Sequence, residues 1–268
     1  MIRRINLRNP EEIEKIRAAG QIISEVFALA KSSIRPGLST YELDKLCEKH
    51  IRSRGASCPC INYGQPPYPA ATCISLNETV VHGVPSKSRI LAEGDIVTVD
   101  VVVGLNGYMA DAARTFPVGT VSPEAEAIID AAEASFFRGL LAAIPGNRVG
   151  DISFAVQSYS ESHGYSVIRE MTGHGIGVDM HEAPDVPNYG RPHRGPRLEA
   201  GMVICIEPMI AAGEQYIMID EDEWSCVMED GELSAHYENT VAITEHGPEI
   251  LTMTSDEVEA FFAKWQSK

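Results

Sequence analysis

No apolar run in this 268-residue chain approaches the roughly 18 residues that a membrane-crossing helix needs, which excludes a helical membrane anchor. Basic residues are scarce as well: 22 lysines and arginines stand against 38 acidic residues, a formal net charge of −16. That balance argues against specific nucleic-acid partners and against binding to anionic membrane, although a local patch can act against the mean. Cysteine offers no disulfide framework. The six thiols (Cys47, Cys58, Cys60, Cys73, Cys205, Cys226) are irregularly spaced, and a chain of this size does not need staples. Cys58-Pro59-Cys60 is the only close pair and lacks both the C-x-x-C spacing and a second pair for a zinc knuckle. Reduced cysteines in the cytoplasm are the expectation. The opening MIRRINLRNPEEIEK has no apolar h-region, so no secretory signal is expected. No low-complexity linker divides the chain.

What is present is clear local punctuation. Asn9-Pro10-Glu11-Glu12 supplies an N-cap, a proline at N1 and a glutamate at N3, ahead of an apolar-periodic segment to about Lys31. Ser39 to Glu42 is a second capping box, for a helix ending near Gly55. Further helices are expected from Ser122-Pro123 to just before Pro145-Gly146, from Asp151 to near Gly164, and after Thr254. TCISLN, DIVTVDVVVG, MVICIEPMI and HYENTVAIT read as strands. Helices and strands interleave, and one echo stands out. Leu91 to Asp100 lines up with Leu198 to Glu207 at a constant offset; each passes from leucine through a turn glycine (Gly94, Gly201) and an apolar strand to a carboxylate. Any two turn-to-strand units share some of this pattern, but matching terminal acids favour two similar α/β halves facing each other across a cleft.

Those acids are the anomaly. Asp100 ends a valine run, Glu207 ends Met-Val-Ile-Cys-Ile, Asp111 sits in a turn-like stretch before Ala112, and Glu238 enters another strand. An ionised carboxylate beside buried strand residues is costly unless it is paired or holds a metal. Singly, each reads as an acid facing water at a strand end, and Arg114 can pair with one of them. Four together, with the glycine-flanked His174, are a less ordinary set. One divalent ion would neutralise only half of their charge, an expensive remainder in a low-dielectric cleft, whereas two ions neutralise all of it. Oxygen-rich ligation with one imidazole suits manganese, iron or cobalt better than the thiolate-rich sites of structural zinc. A 2-His-1-carboxylate oxygenase site has no use for four acids.

Residues 173–184 read GHGIGVDMHEAP. The glycines argue against a helix there, and on a straight strand the odd spacing of His174 and His181 would put them on opposite faces. Taken locally, a phosphate cradle, a metal site and a tight turn all stay open. Together with Asn77-Glu-Thr-Val-Val-His82-Gly-Val-Pro, Asp100 with Asp111, Ile206-Glu207-Pro-Met and Ser234-Ala-His-Tyr-Glu238-Asn-Thr, however, the stretch resembles the type I methionine aminopeptidases of the pita-bread metallopeptidase family. The resemblance runs nearly end to end, from Pro10 to Thr252.

The resemblance implies an α+β pita-bread fold with two pseudo-symmetric halves around a dimetal cleft. It implies one bacterial-type catalytic domain over 1–268, with N-terminal helices in 1–60, a first half in 61–165 and a second in 166–268. Hydrolytic removal of the initiator methionine from nascent polypeptide N-termini, preferring a small second residue, is the implied activity. Asp100, Asp111, His174, Glu207 and Glu238 are the implied ligands of two divalent ions (cobalt, manganese or iron(II), with zinc admissible). Asp111 and Glu238 would bridge both ions, one of which would also take the substrate's free α-amine. Glu207 is the implied general base. His181 would hydrogen-bond the scissile carbonyl, and His82 the first peptide nitrogen beyond it. Without the family, His82 reads as a loop histidine, as do His50, His163, His193, His236 and His246. Tyr68, Cys73 and Trp224 match positions of the methionine pocket. Ile61 to Gln65 departs from the usual pattern, and Met180 stands where an aromatic residue often precedes the second histidine. Asp220 to Glu223 reads as a solvated turn. Arg191, Arg194 and Arg197 are the compact basic cluster near the motifs, the first place to look for a transient ribosome contact; a monomer is expected. Relatives that have lost ligands serve as binding modules, but all five positions survive here. Relatives that cleave before proline usually carry an additional N-terminal domain, for which no room is expected.

Overall fold

In a computed structural model that describes residues 4–266, the capped segments form helices. Asn9 and Ser39 each accept a hydrogen bond from the N3 amide while the N3 glutamate reaches back to the cap, starting α1 (Pro10–Ser33) and α2 (Thr40–Ser53). Ser122 caps α3 (Pro123–Ala142), followed by α4 (Val149–Ser162) and α5 (Ser255–Gln266). The fourth helix begins two residues before the expected Asp151, because that carboxylate sits at N3 and accepts from the Arg148 amide.

The strands are β1 (Cys73–Leu76), β2 (Thr79–Val81), β3 (Ile96–Leu105), β4 (Tyr108–Pro117), β5 (Ser166–Val167), β6 (Thr172–Gly175), β7 (Glu182–Pro187), β8 (Val203–Ile206), β9 (Met209–Ala211), β10 (Ile217–Ile219), β11 (Cys226–Met228), β12 (Ser234–His236), β13 (Asn239–Thr244) and β14 (Gly247–Ile250). They form an antiparallel sheet β1-β3-β4, a five-stranded sheet β14-β13-β8-β6-β7, and two small sheets, β10-β11-β2 and β12-β9-β5. Helices α1 and α2 share a hydrophobic core with β1, β3 and β4. A second core joins α3, α4 and α5 to β8, β9, β12 and β13. Thus α3 and α4 lie within the sequence span 61–165 but pack in the second layer. Each layer opens with a pair of helices followed by its strands, and α5 is added to the second.

Four details differ from the sequence reading. Asp100 lies in mid-strand, since β3 continues to Leu105, and Asp111 is inside β4 rather than in a turn. MVICIEPMI is not one strand: the ladder breaks between β8 and β9, at Glu207-Pro208, where the proline has no amide to donate. The run through HYENTVAIT breaks likewise, between His236 and Asn239. The acids therefore stand at strand interiors and interruptions, where their side chains leave the plane of a packed sheet.

The two layers meet along β4. Ala113 and Glu238 exchange backbone hydrogen bonds, Glu238 N to Ala113 O at 3.0 Å and Ala113 N to Glu238 O at 3.4 Å. Two residues to either side, threonine hydroxyls take over from the backbone. Thr240 Oγ1 accepts from the Asp111 amide at 2.9 Å and donates to the Asp111 carbonyl at 2.8 Å. Thr115 Oγ1 accepts from His236 N at 3.1 Å and lies 2.9 Å from the His236 carbonyl. Thr240→Val keeps the shape but strands a buried amide and carbonyl. It should lower the unfolding free energy of the metal-free protein by about 1–3 kcal/mol, read from urea denaturation; an unchanged midpoint would show that the seam does not depend on this hydroxyl.

Candidate metal centre and active site

Register explains how the acids meet. Asp100 is directly opposite Cys73 on β1 and Ala113 on β4. Ala113 in turn faces Glu238 through their mutual hydrogen bonds. Asn239 pairs with Ile206, so one further step of that register sets Glu238 against Glu207. The result is a row across both layers, Cys73, Asp100, Ala113, Glu238 and Glu207, with Asp111 two residues from Ala113 on the same face of β4. Ala113 is fully buried and contributes only a methyl group to this row.

His174 completes the cluster. Its Nε2 is 3.5 Å from Glu207 Oε1 and 3.8 Å from Asp111 Oδ2. Its Nδ1 is 3.0 Å from the Gly175 carbonyl, and donating there leaves the Nε2 lone pair aimed at the acids. Burial pushes the His174 pKa down to about 3, helped by His181, so the ring is neutral as a ligand requires. The acids move the other way. Burial raises Asp100 to about 7, and burial plus mutual repulsion raises Asp111, Glu207 and Glu238 well above the carboxylate range. Asp111 Oδ1, Glu207 Oε1 and Glu238 Oε1 are buried without a hydrogen-bond partner. Buried, repelling and unsatisfied carboxylates around a neutral imidazole fit divalent cations.

Cys205 also points into this cluster: its Sγ lies with ligand atoms of Asp111, His174 and Glu238 in a group no wider than 4.8 Å. Burial and the neighbouring acids push its thiol well up, so it is protonated rather than a thiolate, and its Sγ lies 3.7 Å from Thr240 Oγ1. Neither Cys205 nor His236 was singled out from the sequence. His236 lines the same cavity, 3.7 Å from Glu238 Oε2, with both ring nitrogens unpartnered. The available signal was alternation, since each lies two residues before a candidate ligand.

The glycines of GHGIGVDMHEAP act through close approach. A Cβ on Gly173 would sit 2.4 Å from the Cys205 carbonyl oxygen, and one on Gly175 would sit 2.2 Å from that of Ala183. A hairpin from β6 to β7 brings the two histidines together, with ring centroids 4.3 Å apart. Glu182 anchors the hairpin: it accepts from the amides of Val178 and Asp179 and pairs with Arg8. His82, at φ 57°, reaches the same cavity from the end of β2, and burial lowers its pKa to about 4.

Residues 14–245 match the model of metallopeptidase family M24. This chain belongs to that family. Similar to it is a methionine aminopeptidase of Clostridium acetobutylicum, 49% identical over 249 residues that cover 93% of this chain and 99% of the relative. The crystal structure of a methionine aminopeptidase from Rickettsia prowazekii aligns with TM-score 0.91 at 37% identity, covering 93% of this chain and 100% of that one. A Pyrococcus furiosus prolidase aligns at TM-score 0.74 and 26% identity, but the match covers only 66% of the prolidase. The architecture is accordingly the α+β pita-bread fold, and the M24 chain is a divalent-metal hydrolase.

Beside the acids the M24 cavity, about 300 Å³, turns apolar. Cys60, Tyr68, Ala70, Cys73, Val102 and Met180 pack there with Trp224 at the edge. Tyr68 donates to the Gly83 carbonyl at 2.9 Å and meets Trp224 edge to face. Trp224 is oriented by the acidic turn, where Asp222 accepts from the Trp224 amide at 2.9 Å. Among the described residues no helix is long and apolar enough to cross a membrane.

The raised acids fix a pH dependence. They hold protons more tightly in the metal-free fold than with cations bound, so lowering pH through about 7 favours the metal-free form. His174, lowered to about 3, does not compete with metal in this range. Calorimetry should show proton release on binding manganese at pH 6.5 and weaker affinity at pH 5.5 than at 8; affinity independent of pH would contradict the raised acids.

Proposed function

We propose that the site removes the N-terminal methionine from nascent proteins and prefers a small second residue. The carrying observation is the row of buried acids flanked by His174, His181 and His82 and opening directly into an apolar pocket. Asp111, Glu238, His174, Glu207 and Asp100 would hold two divalent ions, with Asp111 and Glu238 shared between them. Manganese, iron(II) or cobalt suits this donor set best, with zinc admissible. Bound there, the ions polarise the peptide carbonyl and acidify water enough for attack near neutral pH.

The protein's own groups do the rest. Tyr68, Cys73 and Trp224, joined by Cys60, Val102 and Met180, take the methionine side chain. Glu207, beside the space the water would occupy, accepts the proton of the attacking water. His181 donates to the carbonyl oxygen as it gains negative charge. His82, neutral near pH 7, contacts the first peptide nitrogen beyond the scissile bond and assists protonation of the leaving amine. A cavity of about 300 Å³ has room for a methionyl residue beside the acids. We place the enzyme in the cytoplasm as a monomer; six unpaired cysteines suit a reducing compartment, and one chain supplies the whole site.

Methionine release from Met-Ala-Ser and Met-Lys-Ser tests this. The first should be cleaved and the second scarcely, with activity lost on chelation and restored by manganese or cobalt. Glu207→Ala should lower kcat at least about 100-fold. Cleavage that survives thorough metal removal, or none with any divalent ion, would overturn the reading. Arg191, Arg194 and Arg197 are exposed on one loop, and we propose them for transient ribosome contact; reversing all three charges should weaken cosedimentation with ribosomes, and unchanged binding in moderate salt would refute it.

A further inference from the structure

One residue of the segment 61–65 touches His181, the histidine proposed above to bind the scissile carbonyl. Tyr63 Oη lies 2.6 Å from His181 Nδ1, with the rings 5.3 Å apart and tilted by 54°. The contact is built into a closed loop. Asn62 N donates to Tyr68 O at 2.8 Å, Tyr68 N to Tyr63 O at 2.8 Å, and Tyr63 N to Cys60 O at 3.0 Å. Asn62 and Gly64 flank Tyr63 at φ 65° and 73°, turning its side chain away from the local backbone run. Trp224 fastens the loop from above: its Nε1 donates to the Pro66 carbonyl at 3.1 Å, and a Cβ on Gly64 would sit 2.4 Å from the indole. The same Trp224 edges the apolar pocket.

His181 is thus held on two sides, by the His174 ring at 4.3 Å and by the Tyr63 hydroxyl. A neutral imidazole has one donor and one acceptor nitrogen, and the partner of one fixes the role of the other. Of this pair the phenol O–H is the better donor and the imidazole nitrogen the better acceptor.

We infer that Tyr63 is a positioning residue, whose hydroxyl donates to His181 Nδ1 and so holds the imidazole proton on Nε2. That tautomer presents an N–H donor for the substrate carbonyl without protonating the ring. The inference rests on the role of His181 given above. Tyr63 lines the cavity at its His181 side and works through His181.

Nitrogen NMR of [15N]histidine-labelled, zinc-loaded protein reads the tautomer directly, with His181 assigned by loss of its signals in His181→Gln. The wild type should show a protonated Nε2 and a bare Nδ1. On Met-Ala-Ser with manganese, Tyr63→Phe should lower kcat about 5- to 30-fold and move KM less than about twofold. In the His181→Gln background the same substitution should have no further effect. A wild-type Nδ1–H tautomer, an unchanged kcat, or an equal loss in the His181→Gln background would overturn the inference. The tautomer is measured on the wild type, so misfolding of the variant would not shield it. Full activity in His181→Gln would instead remove the underlying role of His181, an outcome distinct from a crippled His181→Gln beside an unaffected Tyr63→Phe.

Discussion

Mutual repulsion among buried carboxylates is the constraint on which this structure depends. Among the described residues no lysine or arginine forms an ion pair with Asp100, Asp111, Glu207 or Glu238, and burial raises the proton affinity of each. Such a cluster is a cost to the empty fold and an attraction for divalent cations. Stability spent in holding the acids together returns when the metals bind. Arg114, the nearby cation that could have quenched the cluster, is directed elsewhere: it donates to the Ala113 and Glu238 carbonyls and to Asn239 Oδ1, and it stacks against Tyr237 and Phe27. It braces the backbone that carries the acids instead of neutralising them.

Holding like charges in place demands rigid support, and the supports come from both layers. The seam between β4 and residues 236–240 is closed by backbone pairing at Ala113 and Glu238, with a threonine hydroxyl on either side. Glu207 is held from behind, where Asn188 Nδ2 donates to its carbonyl at 2.8 Å. Gly173 lets β6 approach Cys205 closely enough for His174 to reach the row. Each device fixes backbone and leaves carboxylate oxygens unspent.

The histidines complement the acids. Burial pushes His82, His174 and His236 down, so all three are neutral at physiological pH while the nearby carboxylates are pushed up. Opposite shifts from one cause, desolvation, give a site that binds cations through a neutral imidazole and offers neutral rings to a peptide. Tyr63 adds control over one further proton, on the His181 ring.

The sequence by itself determined the helices, part of the strands and the chemistry to which the acids point. The caps at Asn9, Ser39 and Ser122, the apolar strands and the misplaced-looking acids were all legible, because capping, periodicity and the cost of a charge in an apolar run are local properties. The resemblance named the five candidate ligands, and the M24 match agrees with the family it implied. What only the tertiary structure decided is who faces whom. That Asp100, Ala113, Glu238 and Glu207 form one row depends on the registers of separate strand pairs, which no single segment encodes. For the same reason Asp100 reads locally as a strand end although its strand continues, and Cys205 and His236 read as ordinary residues although both face the acids. Tyr63 and His181 meet only because a loop pinned by Trp224 folds over a hairpin anchored by Arg8. Contacts between segments far apart in the chain follow from packing and register, and so appear only once the whole molecule is folded.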